Sequence, residues 1–296
     1  MSALQRRAHL LVFGASALIA TSFPVGAAIT HGLDSLVLTL LRFSLAALLF
    51  GPIVAWRFGL PLPDWRDLLR YATVSAALVG FFWGMFVALR YTSALNTGTI
   101  FTLTPVVAAI TSYFLLRERL GRVALLALLL ALIGAIWVIF RGDLAAALSL
   151  QLGRGDLIML AATVSMGVYG PLIKWLHRGE PMARMTFWIM VTGAGWLLLL
   201  SAGRLGEVEW GAISPSVLWG IAYLAVFTTL ITFFVFQWAT TVVGPTRVMS
   251  YIFLNPALVL LLGLAMGDAL PPALTWPGLV LSLGATLLLQ RSGDRT

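Results

Sequence analysis

The chain has 296 residues, of which 60% are hydrophobic and only 10% charged, with no cysteine and a net charge of +8. A soluble domain carries about 25% charged residues, so soluble globular, disordered and collagen-like classes are excluded, as are disulfides, thiolate metal sites and cysteine nucleophiles. The basic excess lies between apolar runs and reads as a topology signal, not as a nucleic-acid surface. A bilayer core needs about 20 apolar residues per helix, and on that measure the sequence predicts ten spans. The first runs from Ala8 to Thr30, too long for the core of a cleaved signal peptide. The second, Ser35 to Trp56, is interrupted by Arg42. The third covers Tyr71 to Leu89, the fourth Gly98 to Leu116, the fifth Val123 to Phe140, the sixth Leu157 to Ile173 and the seventh Met185 to Ser201. The eighth starts at Ser216 and is ended by Gly244-Pro245. The ninth covers Pro245 to Met266 and the tenth Leu274 to Gln290.

Placing the N-terminus inside leaves fourteen Lys and Arg on inside segments and four (Arg90, Arg141, Arg154, Arg204) outside, with Arg42 within a span. That bias predicts both termini on the cytoplasmic side of an inner, plasma-type membrane.

The two halves echo each other. Ala88 precedes Pro105 by 17 residues and Ala239 precedes Pro256 by 17. Thr104-Pro105 is thereby set against Asn255-Pro256, and Pro24 against Pro171. Two five-span units, residues 1–141 and 154–290, would insert with opposite sense, an inverted repeat around a central cavity as in many transporters. Leu41-Arg42-Phe43, Ala88 to Ala94, Thr104-Pro105-Val106, Leu116 to Arg119, Gly155-Asp156-Leu157, Phe236 to Ala239, Gly244 to Arg247 and Asn255-Pro256-Ala257 follow one another in order. This string resembles the EamA-type branch of the drug/metabolite transporter superfamily over nearly the whole chain. The aromatic richness is most similar to its aromatic amino-acid and methyl-viologen exporters. The resemblance implies ten helices around a cavity lined by the first, third, fourth, sixth, eighth and ninth, with the fifth and tenth peripheral. Asp268 departs from it, standing where the second repeat usually has Glu.

Four prolines, Pro24, Pro105, Pro171 and Pro256, fall inside predicted spans, where each removes a backbone donor and marks a kink or hinge. Arg42 lies about 12 Å into its helix, with no acidic residue in the apolar part of any span. It either ties helices together or recognises a carboxylate through its planar fork. Asp34 and Asp156 read as N-caps of the second and sixth helices. Gly80 with Gly84, and Gly263 with Gly267, read as close-contact pairs. Trp56, Trp65, Trp175, Trp210 and Trp276 read as interfacial belt residues.

The cavity candidates on the lining spans are Ser22, Phe82, Trp83, Phe86, Thr99, Tyr169, Phe227, Thr228, Phe234, Gln237, Tyr251 and Asn255, together with Arg42. An apolar cavity with a few amides and hydroxyls suits amino acids, aromatic and other neutral ones foremost. Cationic drugs such as methyl viologen, sugar phosphates and nucleotide sugars are the alternatives. A phosphate carrier would want paired cavity cations, and only Arg42 qualifies. No buried carboxylate offers a proton carrier, which favours uniport. Scattered histidines and the lack of paired acids argue against a membrane enzyme. The expected partners are a small-molecule substrate and the lipid bilayer, with no cofactor, metal or nucleic acid, and the sequence leaves the oligomeric state open, a monomer included.

Overall fold

The computed structural model describes residues 2–117, 121–140, 142–143, 145, 152–243 and 245–292, and only the backbone of residues 237, 240, 241, 245, 246, 291 and 292. Glu118, Arg119, Arg141 and Gly244 thus lie outside the described residues. All regular structure among those described is helical. Ten stretches are long and apolar enough to cross a membrane.

The spans follow the hydropathy. α1 (Ala3–Ile29), α2 (Ser35–Phe58) and α3 (Trp65–Ala88) are the first three, and α6 (Arg122–Ile139) is the fifth. The fourth is in two pieces, α4 (Ala94–Phe101) and α5 (Thr104–Leu116). The sixth and seventh are α7 (Arg154–Leu176) and α8 (Met182–Leu205). The eighth joins α9 (Pro215–Ala225) to α10 (Thr232–Val243) through a π-helical turn at Val226–Ile231. The ninth runs as α11 (Pro245–Ser250), a 3-10 turn at Tyr251–Leu254, and α12 (Asn255–Ala265). The tenth is α13 (Trp276–Ser292).

Helix ends are set by side chains where the sequence supplies them. Ser2 and Gln5 form a capping box on α1, and Asp34 accepts the Leu36 N–H at the start of α2. Asp156 works differently from a simple N-cap: it stands at the third helical position of α7 and reaches back to the Gly153 N–H at 3.2 Å. The ten crossings place residues 30–34, 89–93, 153–154, 205–214 and 266–275 on one side, here the far face. The chain ends lie on the other, here the terminal face. Long-range bonds agree with this. Trp137 donates to the Leu274 carbonyl at 2.6 Å on the far face, and Arg184 donates to the Phe58 carbonyl at 2.5 Å on the terminal face.

Packing crosses between the halves. α3 lies along α7, α2 along α8, α6 along α13, and α1 along α10 and α12. The α3–α7 contact depends on small residues: a Cβ on Gly80 would stand 2.9 Å from Ser165 Oγ, and one on Gly84 2.8 Å from Ala162 Cβ. This is the small-residue approach that drives helix association where lipid offers no hydrophobic gain. The second expected glycine pair does not pack this way. A Cβ on Gly263 would meet Asp268 of its own following turn, and Gly267 sits outside the helix at φ +97°. There the glycines make a helix stop rather than a helix contact. The predicted belt tryptophans are all solvent- or lipid-exposed in the bare protein, Trp56 the most at 88%.

Candidate functional site

The largest fully buried side chain among the described residues is Arg42, on α2. Its Nη2 donates to the hydroxyls of Thr228 and Thr229, both at 3.0 Å, and its Nε to Thr229 at 3.2 Å. The π turn makes this possible. Consecutive residues of a regular helix point about 100° apart, yet here both threonine hydroxyls reach one carbonyl, that of Leu224, at 2.9 Å. Each spends its proton there and turns a lone pair to the guanidinium. The ring of Phe82 lies 4.1 Å from the guanidinium carbon, a cation–π contact. Arg42 Nη1 has no hydrogen-bond partner among the described residues. Three expected site residues, Arg42, Phe82 and Thr228, thus form one constellation between the second, third and eighth spans.

From Phe82 a row of buried rings crosses the middle of the protein. Phe82 meets Phe81 at 5.0 Å between centroids, Phe81 meets Phe101 at 5.3 Å, and Phe101 meets Phe23 at 5.6 Å. The row ends where α1, α4 and α12 converge. A Cβ on Gly98 would stand 2.8 Å from Val259 and 3.3 Å from Phe23.

The remaining candidates fall in different surroundings. Phe86 is buried beside Gly26, and its carbonyl accepts the Thr30 hydroxyl at 2.7 Å. Trp83 is part-exposed and Phe234 largely exposed. Phe227 stacks on Tyr223 at 5.1 Å, and Tyr223 shares a 2.9 Å hydrogen bond with Thr21 of α1. Thr99 is buried and bonds the Leu95 carbonyl of its own helix at 2.7 Å. Tyr251 pairs with His9 Nδ1 at 2.9 Å. Ser22, Tyr169 and Asn255 are buried, and neither polar atom of the Asn255 carboxamide has a partner among the described residues. The Gln237 side chain lies outside the described residues.

The prolines divide into two kinds. Pro24 and Pro171 lie within α1 and α7. Pro105 and Pro256 instead open the second segments of their spans, α5 and α12, where a missing N–H costs little. Each follows a tightened turn. The Phe101 carbonyl, which Pro105 cannot bond, receives the Thr104 hydroxyl at 2.6 Å.

The two broken spans meet on one side only. On the far face α4 packs on α12 and α1. No comparable contact joins α5 to the Pro245–Leu254 stretch on the terminal face, among the described residues. In α5 only Thr104 is buried, whereas α12 buries Asn255, Pro256, Val259, Leu260 and Gly263.

Polar clamps hold both ends of α3. At the far face Arg90 donates to the carbonyls of Thr30, at 3.1 and 2.7 Å, and Leu33, at 2.8 Å, capping the end of α1. At the terminal face Arg70 donates to the Leu176 carbonyl at the end of α7 at 2.5 Å, and pairs with Asp67 at 2.7 Å and Glu180 at 3.3 Å. Both arginines meet the negative end of a helix dipole. Burial alone would raise the Glu180 carboxyl. Hydrogen bonds from the N–H groups of Glu180 and Arg178, and the charges of Arg70 and His177, outweigh it and hold the carboxyl below its ordinary value.

Two cavities open at the far face. One, of about 450 Å³, lies beside the Asp34–Arg204 ion pair and includes Glu207 and Glu209. The other, of about 260 Å³, is lined by Pro24, Asn96, Val259 and Asp268 among others. No group of three potential metal ligands occurs among the described residues. Sequence reasoning missed Thr229, the Phe23–Phe81–Phe101 row, Arg70 and Arg90. The threonine pair and the arginines at span ends were visible, but nothing linear tied them to their partners.

A sequence model described as "EamA-like transporter family" matches residues 6–140 and again 153–291. The uncharacterized transporter YyaM of Bacillus subtilis is 28% identical over 230 residues, covering 76% of this chain and 75% of its own. The uncharacterized transporter YdfC of the same organism is 26% identical over 290 residues, 93% and 87% of the two chains. An uncharacterized transporter of Archaeoglobus fulgidus is 24% identical over 227 residues, 76% of each chain. A solved crystal structure superposes with a TM-score of 0.68 at 19% identity over 98% of both chains, which shows a shared fold.

Proposed function

We propose that this chain, which belongs to the EamA-like transporter family, moves small zwitterionic metabolites across a membrane by alternating access, with neutral and aromatic amino acids as the favoured cargo and export as the favoured direction. The observation that carries the reading is the one-sided meeting of the two broken spans. α4 and α12 close on each other at the far face, while α5 stands apart from the ninth span at the terminal face. Two inverted five-span halves, residues 1–141 and 154–290, would exchange these arrangements by rocking. The cross-packing of α3 on α7 and of α1 on α10 supports that pairing.

In this reading Arg42 has two tasks. Its bonds to Thr228 and Thr229 fix the π turn, and its free Nη1 offers a donor to a carboxylate. The aromatic row and Phe227 supply apolar walls, and the four prolines act as hinges. The excess of basic residues on the segments predicted to lie inside, fourteen of nineteen, supports a cytoplasmic terminal face in an inner-membrane protein. Among the described residues the buried acid of the spans, Asp156, stands in the first turn of α7 and is held by Thr92, Asn96 and the Gly153 N–H, not in mid-span, which favours uniport. A quaternary cation would have to sit beside Arg42 with no carboxylate to balance it, and a phosphate would have only one arginine.

The test is flux in proteoliposomes. Amino acids, methyl viologen and hexose phosphates are offered as a panel, with and without a pH gradient. Accelerated flux of neutral amino acids, independent of the gradient, is expected. No flux across the whole panel refutes the reading, and a gradient-dependent rate refutes uniport.

A further inference from the structure

Ser16 and Asn255 are buried and have, among the described residues, no hydrogen-bond partner at Oγ, Oδ1 or Nδ2. Most buried threonines of this protein return their proton to their own helix, as Thr39 does to Ser35, Thr97 to Ser93 and Thr228 to Leu224. The Ser16 hydroxyl does not, nor do those of Ser35, Thr163, Ser201 and Thr275. An enclosed carboxamide with all its donors and its acceptor unmade is rarer still, because each unmade bond forfeits the full desolvation penalty.

Helix register assigns the two residues to one interface. α1 packs on the 3-10 turn and on α12. That contact is pinned at its lower end by the His9–Tyr251 hydrogen bond, and at its upper end by Phe23 and Val259, which converge on Gly98. Ser16 stands midway between His9 and Phe23, and steps of seven residues stay on one helix face. Asn255 stands midway between Tyr251 and Val259, at the joint of the broken ninth span. Near the centre of the α1–α12 seam, both segments therefore present polar groups that no described residue satisfies.

We infer that Ser16 and Asn255 form a polar recognition point for the cargo, specific for a group that both donates and accepts hydrogen bonds and brings no net charge. The inference rests on the transport reading above and assigns it a contact. Asn255 supplies two N–H donors and a carbonyl, and Ser16 a hydroxyl that can play either part. Among the described residues the ionisable side chains of this seam, His9 and Asp268, stand at its two ends, and no charged group bonds to Ser16 or Asn255 to balance a quaternary cation or a phosphate there. The head of a neutral amino acid fits, since its charges cancel and it offers both donors and acceptors. The seam is sealed in the present conformation, so the cargo reaches it when α12 moves relative to α1.

The experiment pairs transport with stability in reconstituted protein. A polar group kept only for structure loses stability when replaced. An orphaned one does not, because removing it abolishes a desolvation penalty. Asn255→Leu is expected to leave the unfolding temperature equal or higher, while phenylalanine flux falls about tenfold or more, the scale of one or two lost hydrogen bonds. Ser16→Ala is expected to show a smaller loss in the same direction, and Asn255→Gln to retain part of the flux. In wild-type vesicles, neutral amino acids should compete with phenylalanine, whereas methyl viologen and glucose 6-phosphate should not. Wild-type flux in Asn255→Leu, or a large drop in its unfolding temperature, overturns this inference and leaves the transport reading standing. A wild type that moves nothing overturns both.

Discussion

Arg42 holds its guanidinium 4.1 Å from the ring centre of Phe82, inside the second span and without a carboxylate among its hydrogen-bond partners. A cation at that depth costs at least about 2.5 kcal/mol on insertion scales. The ring face and two threonine hydroxyls offset part of this cost.

Replacing Arg42 should therefore divide by shape. Arg42→Met keeps much of the volume and removes the charge, and Thr228 and Thr229 keep their bonds to Leu224. Its unfolding temperature in detergent should match or exceed wild type, as often happens when a buried charge yields to a hydrophobe. Arg42→Ala leaves a void and should cost about 2–4 kcal/mol. Arg42→Lys keeps the charge but cannot fork between two hydroxyls and stack at once, so it should fall below Arg42→Met. All three should lose flux of carboxylate-bearing cargo. Equal stability losses in the Met and Ala variants would show that the hydrogen bonds, not packing, set the energy.

The cluster of Arg70, Asp67 and Glu180 gives a pH signature. The folded protein holds the Glu180 carboxyl below its ordinary value through backbone N–H groups, Arg70 and His177, despite burial. A carboxylate depressed by folding contributes stability that is complete above its unfolded value and disappears as pH falls through the folded one. The gap in unfolding temperature between wild type and Glu180→Gln should thus be widest near neutral pH. It should shrink below about pH 4, where free carboxyls take up protons. A gap that stays constant from neutral to acid would assign the effect of the variant to packing.

Gly84 tests the α3–α7 seam. Its missing Cβ would lie 2.8 Å from Ala162 Cβ. Gly84→Val should destabilise by about 1–3 kcal/mol, the usual cost of overpacking. Adding Ala162→Gly should return part of that loss, because the two sites share the same few ångströms. Gly80→Ala meets a serine hydroxyl that can rotate away, so its cost should be smaller.

The ten spans were legible because twenty apolar residues in a row have one stable reading, and Arg42 was legible because a charge inside such a run is rare. Which way a side chain points was much harder to read. In a membrane the lipid-facing and protein-facing sides of a helix are both apolar, so the periodicity that marks a buried face in soluble proteins fades. Phe82 and Phe86, four residues apart, fall on one face of a regular helix, yet one stacks on Arg42 and the other packs beside Gly26. The π turn carries no sequence mark, and without it Thr229 has no reason to share a carbonyl with Thr228. The Gly263–Gly267 spacing matched a helix-contact pattern, but a following turn at Gly267 makes it a terminus. Asn255-Pro256 was recognised as a pair; that its amide would be sealed without a partner is a property of the tertiary packing alone.

The far-face contact offers a conformational test, and the absence of cysteine means a single engineered thiol reports alone. Ile100 is fully buried on α4, two residues beyond Gly98. A membrane-impermeant maleimide should therefore leave Ile100→Cys unlabelled in an otherwise wild-type background. Gly98→Val places two methyl groups where Val259 and Phe23 already stand at 2.8 and 3.3 Å from a single Cβ. Packed interfaces tend to switch rather than deform, so α4 should part from α12. Labelling of Ile100→Cys should then rise several-fold, reaching the thiol from the far face alone. Unchanged labelling in a folded double variant would show that α4 and α12 are fixed to each other and that access to the far face opens elsewhere.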